Sequence, residues 1–181
     1  GRSGILQGQV QRRRLGQGSG NAVGMAIAER ILRAEYGESL VNHRTWVIAS
    51  DGDLMEGVSH EAAALAGHLR LGKLTVIWDN NSITIDGRTA LAFSEAVVAR
   101  FEAYGWRTLR VDDGNDLEAI DAALAAAGEH DDRPTMIALR TVIGDPAPTK
   151  RATSGAHGSP LGADELGDEA NATKFLLALG G

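Results

Sequence analysis

Four short apolar runs separated by longer helical segments constrain the fold of this chain more than any other feature of its sequence. The runs lie at 46–50, 74–79, 106–111 and 134–143, and the helical segments between them lie at about 57–71, 95–104 and 115–130. Strands that alternate with helices in this way are typical of a parallel sheet. The sequence therefore predicts an α/β fold, a parallel sheet with helices on both faces, in which Asn115 or Asp116 caps the last of these helices.

Polar clusters follow the first two predicted strands. Asp51, Gly52 and Asp53 come directly after the first strand, and Asn81 follows the second strand, 30 positions beyond Asp51. This separation is one strand–helix–strand unit, so both side chains are expected at the same edge of the sheet, where ligands bind in such folds. A carboxylate and a carboxamide oxygen suit a hard divalent cation such as Mg²⁺, whose remaining ligands often come from phosphate. A backbone carbonyl just after Asn81, such as that of Ile83, could add a further oxygen.

Two interpretations of these clusters stay open at this point. In the first, Gly52 lets the backbone approach a diphosphate closely, and the helix after Asp53 points its N–H groups at the anion. In the second, Asp51 and Asp53 only cap that helix, and the asparagines at 80–81 only form a turn. A nicotinamide-binding glycine fingerprint is not favoured, because Asn21 occupies its third glycine position and no strand precedes it.

Charge and composition narrow the class of partner. The net charge is −6, which argues against nucleic acid. The chain contains no cysteine, which excludes disulfides and thiolate zinc sites and favours a cytoplasmic location. No apolar run approaches the ~20 residues that span a bilayer, and the N-terminus has no apolar core of a signal peptide. We therefore expect a cytoplasmic protein that binds neither nucleic acid nor membrane.

The polar clusters match the thiamine diphosphate motif, in which Gly-Asp-Gly is followed 25 to 30 residues later by Asn-Asn, and a longer set of blocks resembles transketolase. These blocks are "DGDLMEGVSHEAAALAGHL", "DNNSITIDG", "FEAYGW", "RPTMIALRTVIG" and "AHGSPLGADEL", in this order. The resemblance implies a thiamine diphosphate-binding domain of the diphosphate type over residues 15–166. Residues 1–14 are then an atypical tail, and residues 167–181 are a C-terminal tail or helix.

The resemblance also implies roles for individual residues around a cofactor and its metal ion. Asp51 and Asn81 would bind Mg²⁺ or Ca²⁺ through their side chains, and Ile83 would bind it through its carbonyl oxygen. Gly52 and Asn81 would contact thiamine diphosphate, and Leu15 would pack on it.

Two further residues are implied to take part in catalysis. His157 would touch both the cofactor diphosphate and the donor substrate. Its place in a Pro- and Gly-rich segment, 144–162, agrees with a functional loop. Glu56 would lie at a dimer interface and help relay protonation between two active sites.

Three departures from the family pattern bear on activity. Arg13 and Arg14 stand where the family has Gly-Pro, and Ser50 replaces the first glycine of Gly-Asp-Gly. The upstream histidines of the family and its pyrimidine-binding domain have no counterpart in this chain. We therefore expect a fragment or one subunit of a split enzyme, inactive alone, that needs a homodimer or a partner chain carrying the pyrimidine-binding domain.

The implied reaction is the transfer of a two-carbon ketol unit from a ketose phosphate to an aldose phosphate, as in the pentose phosphate pathway. Sugar phosphates would be the substrates. The alternatives are a related thiamine diphosphate enzyme such as dihydroxyacetone synthase, or a non-catalytic remnant that only binds.

Overall fold

The computed structural model describes residues 16–166, which form two compact units. Residues 16–80 and 95–140 make up the first unit, and residues 81–94 and 141–166 make up the second. Leu15 and the predicted N- and C-terminal segments lie outside the described residues, so the domain boundaries given above stay predictions. Within residues 16–166, no helix combines the length and apolar character that crossing a membrane requires.

The first unit is built on a four-stranded sheet in the order β1-β2-β6-β5, and every neighbouring pair is parallel. The prediction of a parallel α/β sheet is confirmed. Ser50 pairs with Asp79, so β1 and β2 reach the same edge of the sheet. The strands are β1 Thr45–Ser50, β2 Leu74–Asn80, β5 Arg107–Val111 and β6 Thr135–Arg140.

Residues 16–80 and 95–140 contain five helices, of which α2 begins at the first residue after β1 and was not predicted. Asp116 caps α5, because its carboxylate accepts the N–H of Ala119 at 2.9 Å; the predicted cap is confirmed. The helices are α1 Gln17–Tyr36, α2 Asp51–Met55, α3 Gly57–His68, α4 Val97–Ala103 and α5 Leu117–Gly128.

Side chains alternate between the two faces of the sheet, and helices lie on both faces. Val47 and Val76 are buried on the face that α1 contacts. Val111 and Ile137 pack with Ala127 of α5 on the opposite face. This burial of apolar side chains on both faces explains why the strands read as short, almost continuous apolar runs.

The alanine-rich face of α3 is packed inside the first unit. Ala62, Ala63 and Ala66 are buried, and α3 contacts α1. A Cβ atom added at Gly67 would lie 1.8 Å from the carbonyl oxygen of Tyr104, so the backbones approach more closely than any side chain allows. Small residues on α3 are therefore explained by packing within the chain.

The second unit contains a short antiparallel hairpin. Strands β3 Ile83–Thr84 and β4 Gly87–Arg88 pair antiparallel, and a 3₁₀ turn, Thr89–Leu91, follows. The rest is mostly turns, with a 3₁₀ turn at Ser154–Ala156 and the helix α6 Ala163–Leu166. The Glu165 carboxylate accepts the N–H of Thr149 at 3.1 Å and also its hydroxyl, so hydrogen bonds close the irregular segment.

Candidate functional site

Asp51 lies at the carboxyl end of β1 as the first residue of α2. Its side chain is buried, with 5% of its surface exposed, and its Oδ1 atom accepts the indole N–H of Trp78 at 3.0 Å. The register of β1 and β2 places Trp78 beside Ala49, two residues before Asp51. A carboxylate has about four acceptor sites on its two oxygens, so one indole bond is compatible with metal binding.

Asp53 has a different role from Asp51, although the two residues look alike in the sequence. The N–H and hydroxyl of Ser50 donate to its Oδ2 atom at 2.8 and 2.7 Å, and the Ser50 hydroxyl also accepts the N–H of Asp53. Asp53 Oδ1 accepts the N–H of Gly16 at 3.1 Å, which ties the start of α1 to α2. Of the two interpretations of the acidic cluster, helix capping holds for Asp53, which forms a capping box with Ser50 at the start of α2. The pattern Ser-x-x-Asp was a signal for this capping box.

Gly52 and Glu56 lie on the same short segment as Asp51. Gly52 is half-buried in the first turn of α2, and Glu56 is half-buried at the junction between α2 and α3. Glu56 packs against the backbone of Gly16, because a Cβ atom added there would lie 2.6 Å from the Glu56 Cβ atom. Gly16 also has a φ of 74°, a conformation that favours glycine.

Asn81 and Ile83 meet in one tight turn of the second unit. Asn81 Oδ1 accepts the N–H of Ile83 at 2.9 Å, and Ser82 between them has a φ of 62°. The turn named in the second interpretation is therefore present at Asn81. A carboxamide oxygen has two lone pairs, so this turn leaves the amide chemically able to bind a cation as well.

His157 is exposed in the second unit, directly after the 3₁₀ turn at Ser154–Ala156. Its backbone N–H donates to the carbonyl oxygen of Ser154 at 2.9 Å. An added Cβ atom at Gly144 would lie 2.8 Å from that of Ala156, so glycine allows the loop to close on itself. The loop therefore presents the imidazole to solution and holds it by its backbone.

A cavity of about 530 Å³ opens at the carboxyl edge of the sheet in the first unit, between α4 and the strands β2, β6 and β5. Trp78 lines this cavity and also reaches Asp51, so it connects the cavity wall to the predicted metal ligand. The sequence analysis did not single out Trp78. A tryptophan in an apolar strand is usually interpreted as a core residue. The acceptor of its indole N–H cannot be identified until the register of the two strands is known.

The predicted ligand set consists of oxygen atoms, namely one carboxylate, one carboxamide and one backbone carbonyl. This set fits Mg²⁺ or Ca²⁺ and does not fit a soft metal. Over residues 16–166, no group of three or more His, Asp or Glu side chains could hold a metal ion. A cation at this site would therefore need further oxygens, which a bound diphosphate provides.

The family described as transketolase, thiamine diphosphate binding domain, matches residues 7–175 of the chain. A transketolase of Geobacillus stearothermophilus is 56% identical over 154 residues, which cover 83% of this chain and 23% of that protein. A transketolase of Streptococcus pyogenes is 54% identical over 155 residues, covering 84% of this chain and 21% of the relative.

Solved structures of transketolases are also similar to this chain. Transketolase from Leishmania mexicana superposes with a TM-score of 0.82 and 45% identity over 88% of this chain and 24% of its own. A transketolase from Pichia stipitis in complex with sedoheptulose 7-phosphate superposes with a TM-score of 0.82 and 44% identity over 85% of this chain and 23% of its own. The chain thus spans less than a quarter of the length of these relatives.

Proposed function

The chain belongs to the transketolase thiamine diphosphate binding domain family, and on this premise we propose that it supplies the metal and diphosphate half of a transketolase-type active site. The complete enzyme transfers a two-carbon ketol unit from a ketose phosphate to an aldose phosphate. Solved structures of transketolase from Pichia stipitis are complexes with xylulose 5-phosphate, sedoheptulose 7-phosphate and fructose 6-phosphate. These ligands support sugar phosphates as the substrate class.

The observation that carries this proposal is the buried Asp51 carboxylate at the carboxyl end of β1, the edge where such sheets bind ligands. In the proposed site Asp51 and Asn81 bind Mg²⁺ or Ca²⁺ through their side chains, and Ile83 binds it through its carbonyl oxygen. Gly52, Asn81 and Leu15 contact the cofactor. Bound thiamine diphosphate supplies carbanion stabilisation, while these residues hold and orient its diphosphate end.

His157 and Glu56 are proposed to act on substrate and on proton transfer. The exposed imidazole of His157 is accessible for hydrogen bonds to a diphosphate and to the donor sugar. Glu56 is half-buried at a helix junction, from which it would meet a second subunit and relay protonation. Both roles require a complete active site.

The proposed assembly is a homodimer or a complex with a chain that carries the pyrimidine-binding domain. It is motivated by the length of the relatives, since the region shared with the Geobacillus protein is 23% of that protein. The proposed setting is the pentose phosphate pathway in the cytoplasm. A related enzyme such as a dihydroxyacetone synthase would share the metal site and differ in its acceptor sugar.

Calorimetry tests the metal and cofactor part of the proposal. Thiamine diphosphate is titrated into the purified chain in excess Mg²⁺ and in a chelator, and the same titrations are made with Asp51→Asn. We expect binding that needs Mg²⁺ and that Asp51→Asn greatly weakens, because this substitution removes the only carboxylate of the ligand set while preserving its shape. Equal affinity in chelator and in Mg²⁺ would contradict the proposed metal site.

A further inference from the structure

Trp78 makes a buried hydrogen bond to the carboxylate that the proposed function assigns to the metal ion. The indole N–H donates to Asp51 Oδ1 at 3.0 Å, and the two residues are 8% and 5% exposed. We propose that Trp78 is the positioning residue for Asp51, setting the orientation of its carboxylate for the cation. This inference rests on the proposed function, because it concerns the same site.

The chemistry of an indole suits this task. Its N–H is only a donor and offers no lone pair to a metal ion. The indole can therefore bond to the carboxylate without competing with it for the cation. The indole carries no charge, so its hydrogen bond does not itself neutralise the carboxylate. Fixing Oδ1 restricts rotation of the carboxylate and so defines where Oδ2 points.

The position of Trp78 in the sheet makes this donor rigid. Trp78 belongs to β2, a strand with neighbours on both sides, and pairs with Ala49 in β1 and Ala138 in β6. Two alanines beside it leave room for the indole on the same face of the sheet. The donor is thus in place before any ligand binds, and such preorganisation is what a precise site requires.

The size of the effect follows from outer-shell hydrogen bonds at metal sites in general. Removing the partner of a metal-binding side chain typically lowers metal affinity by about 10–100-fold. Trp78→Phe removes the N–H and keeps an aromatic side chain in the core. We expect the Kd for Mg²⁺, measured by calorimetry in the presence of thiamine diphosphate, to rise by a factor in this range.

Trp106 provides a matched control within the same unit. Its side chain is 4% exposed, and its indole N–H donates to the carbonyl oxygen of Ala63 at 2.8 Å. Trp106→Phe therefore removes the same kind of buried indole bond without touching Asp51. A general loss of stability would affect both variants, whereas a positioning role affects the Mg²⁺ affinity of Trp78→Phe alone.

A second measurement uses the unaltered chain and so does not depend on the folding of any variant. The chain is labelled with ¹⁵N, and the indole N–H signals are followed by NMR during addition of Mg²⁺ and thiamine diphosphate. The Trp78 signal is expected to shift on binding, because its acceptor becomes a metal ligand, while the Trp106 signal stays in place. A Trp78 indole signal whose chemical shift does not change on binding would overturn the inference.

The outcomes distinguish a failure of the positioning role of Trp78 from a failure of the metal site itself. If Asp51→Asn abolishes Mg²⁺-dependent binding while Trp78→Phe and Trp106→Phe both bind as the unaltered chain does, the positioning role is wrong and the metal site stands. If Asp51→Asn binds normally, or if the unaltered chain shows no Mg²⁺-dependent binding, the metal site and the positioning role are both overturned. Weakened binding in Trp78→Phe alone, with the Trp78 signal shifting, supports both.

Discussion

The ion pair between Lys73 and Glu29 joins α1 to the start of β2, and its loss should strongly destabilise the first unit. Lys73 Nζ lies 2.9 Å from Glu29 Oε1, and the two side chains are 6% and 5% exposed. The same ammonium group donates to the carboxamide oxygen of Asn42. Lys73→Met keeps the length of the side chain but leaves the Glu29 carboxylate buried without its cation.

Removing one partner of a buried pair costs about 3–5 kcal/mol, because the remaining charge is desolvated without compensation. We therefore expect the free energy of unfolding to fall by this amount, a large share of the roughly 5–15 kcal/mol that stabilises a typical domain. Urea unfolding followed by circular dichroism measures the change. Replacing both residues with methionine should restore much of the loss, because no charge is then left buried.

An exposed ion pair between the last turn of α1 and the residues just after this helix gives the control. Arg33 and Glu38 are 2.8 Å apart, with side chains 33% and 58% exposed. Water and salt screen exposed pairs, so Arg33→Met should lower the free energy of unfolding only slightly. A loss in Lys73→Met no larger than the loss in Arg33→Met would refute the reasoning from burial.

Three further predictions concern the site and the second unit. His157→Ala, in an enzyme completed by a chain that carries the pyrimidine-binding domain, should lower kcat strongly and leave the melting temperature nearly unchanged, because the side chain is exposed; unchanged kcat would remove the catalytic role. The purified chain alone should show only background turnover of xylulose 5-phosphate and ribose 5-phosphate in a coupled assay, since the proposed site residues hold only the diphosphate end of the cofactor; clear turnover would contradict the proposal that this chain supplies only half of the site. Hydrogen bonds from the side chain and backbone of Thr149 hold the pKa of the Glu165 carboxyl below its usual 4.5. The Glu165–Thr149 contact therefore stabilises the fold fully above pH 4.5, and this stabilisation is lost as the pH falls through the lowered pKa. Protection of the Thr149 amide from exchange should fall accordingly at acidic pH, and in Glu165→Gln it should not depend on pH in this range.

The sequence predicted the elements of the sheet well, because its strands are buried on both faces and so appear as apolar runs. It also predicted the Asp116 cap from local chemistry. The sequence did not predict the strand order β1-β2-β6-β5, because periodicity does not reveal which strands are neighbours. Helix α2 was missed because five residues are too few to show a helical period, although Ser50 and Asp53 already formed a recognisable capping pair.

In the candidate site, too, contacts between neighbouring residues could be predicted from the sequence, and contacts between distant residues could not. The turn in which Asn81 accepts the N–H of Ile83 joins residues two positions apart, so an asparagine in a polar loop was enough to predict it. The bond from Trp78 to Asp51 joins residues 27 positions apart and exists only because β1 and β2 pair in one register. Sequence reasoning could therefore propose Asp51 and Asn81 as ligands, but it could not identify Trp78 as a hydrogen-bond donor to Asp51.

The two aspartates of the first polar cluster show why burial and partners, rather than residue type, decide a role. Asp53 accepts hydrogen bonds from Ser50 and Gly16 and so fixes α2 to β1 and to the start of α1. Asp51, two residues earlier, is buried and accepts a hydrogen bond from the uncharged indole of Trp78. Substituting Asp53 should therefore weaken cofactor binding only by loosening the helix that carries Asp51, and the loss should grow as the fold is destabilised. Substituting Asp51 removes charge from the proposed ligand set itself, so its effect on Mg²⁺ affinity should persist under conditions in which the fold is fully stable.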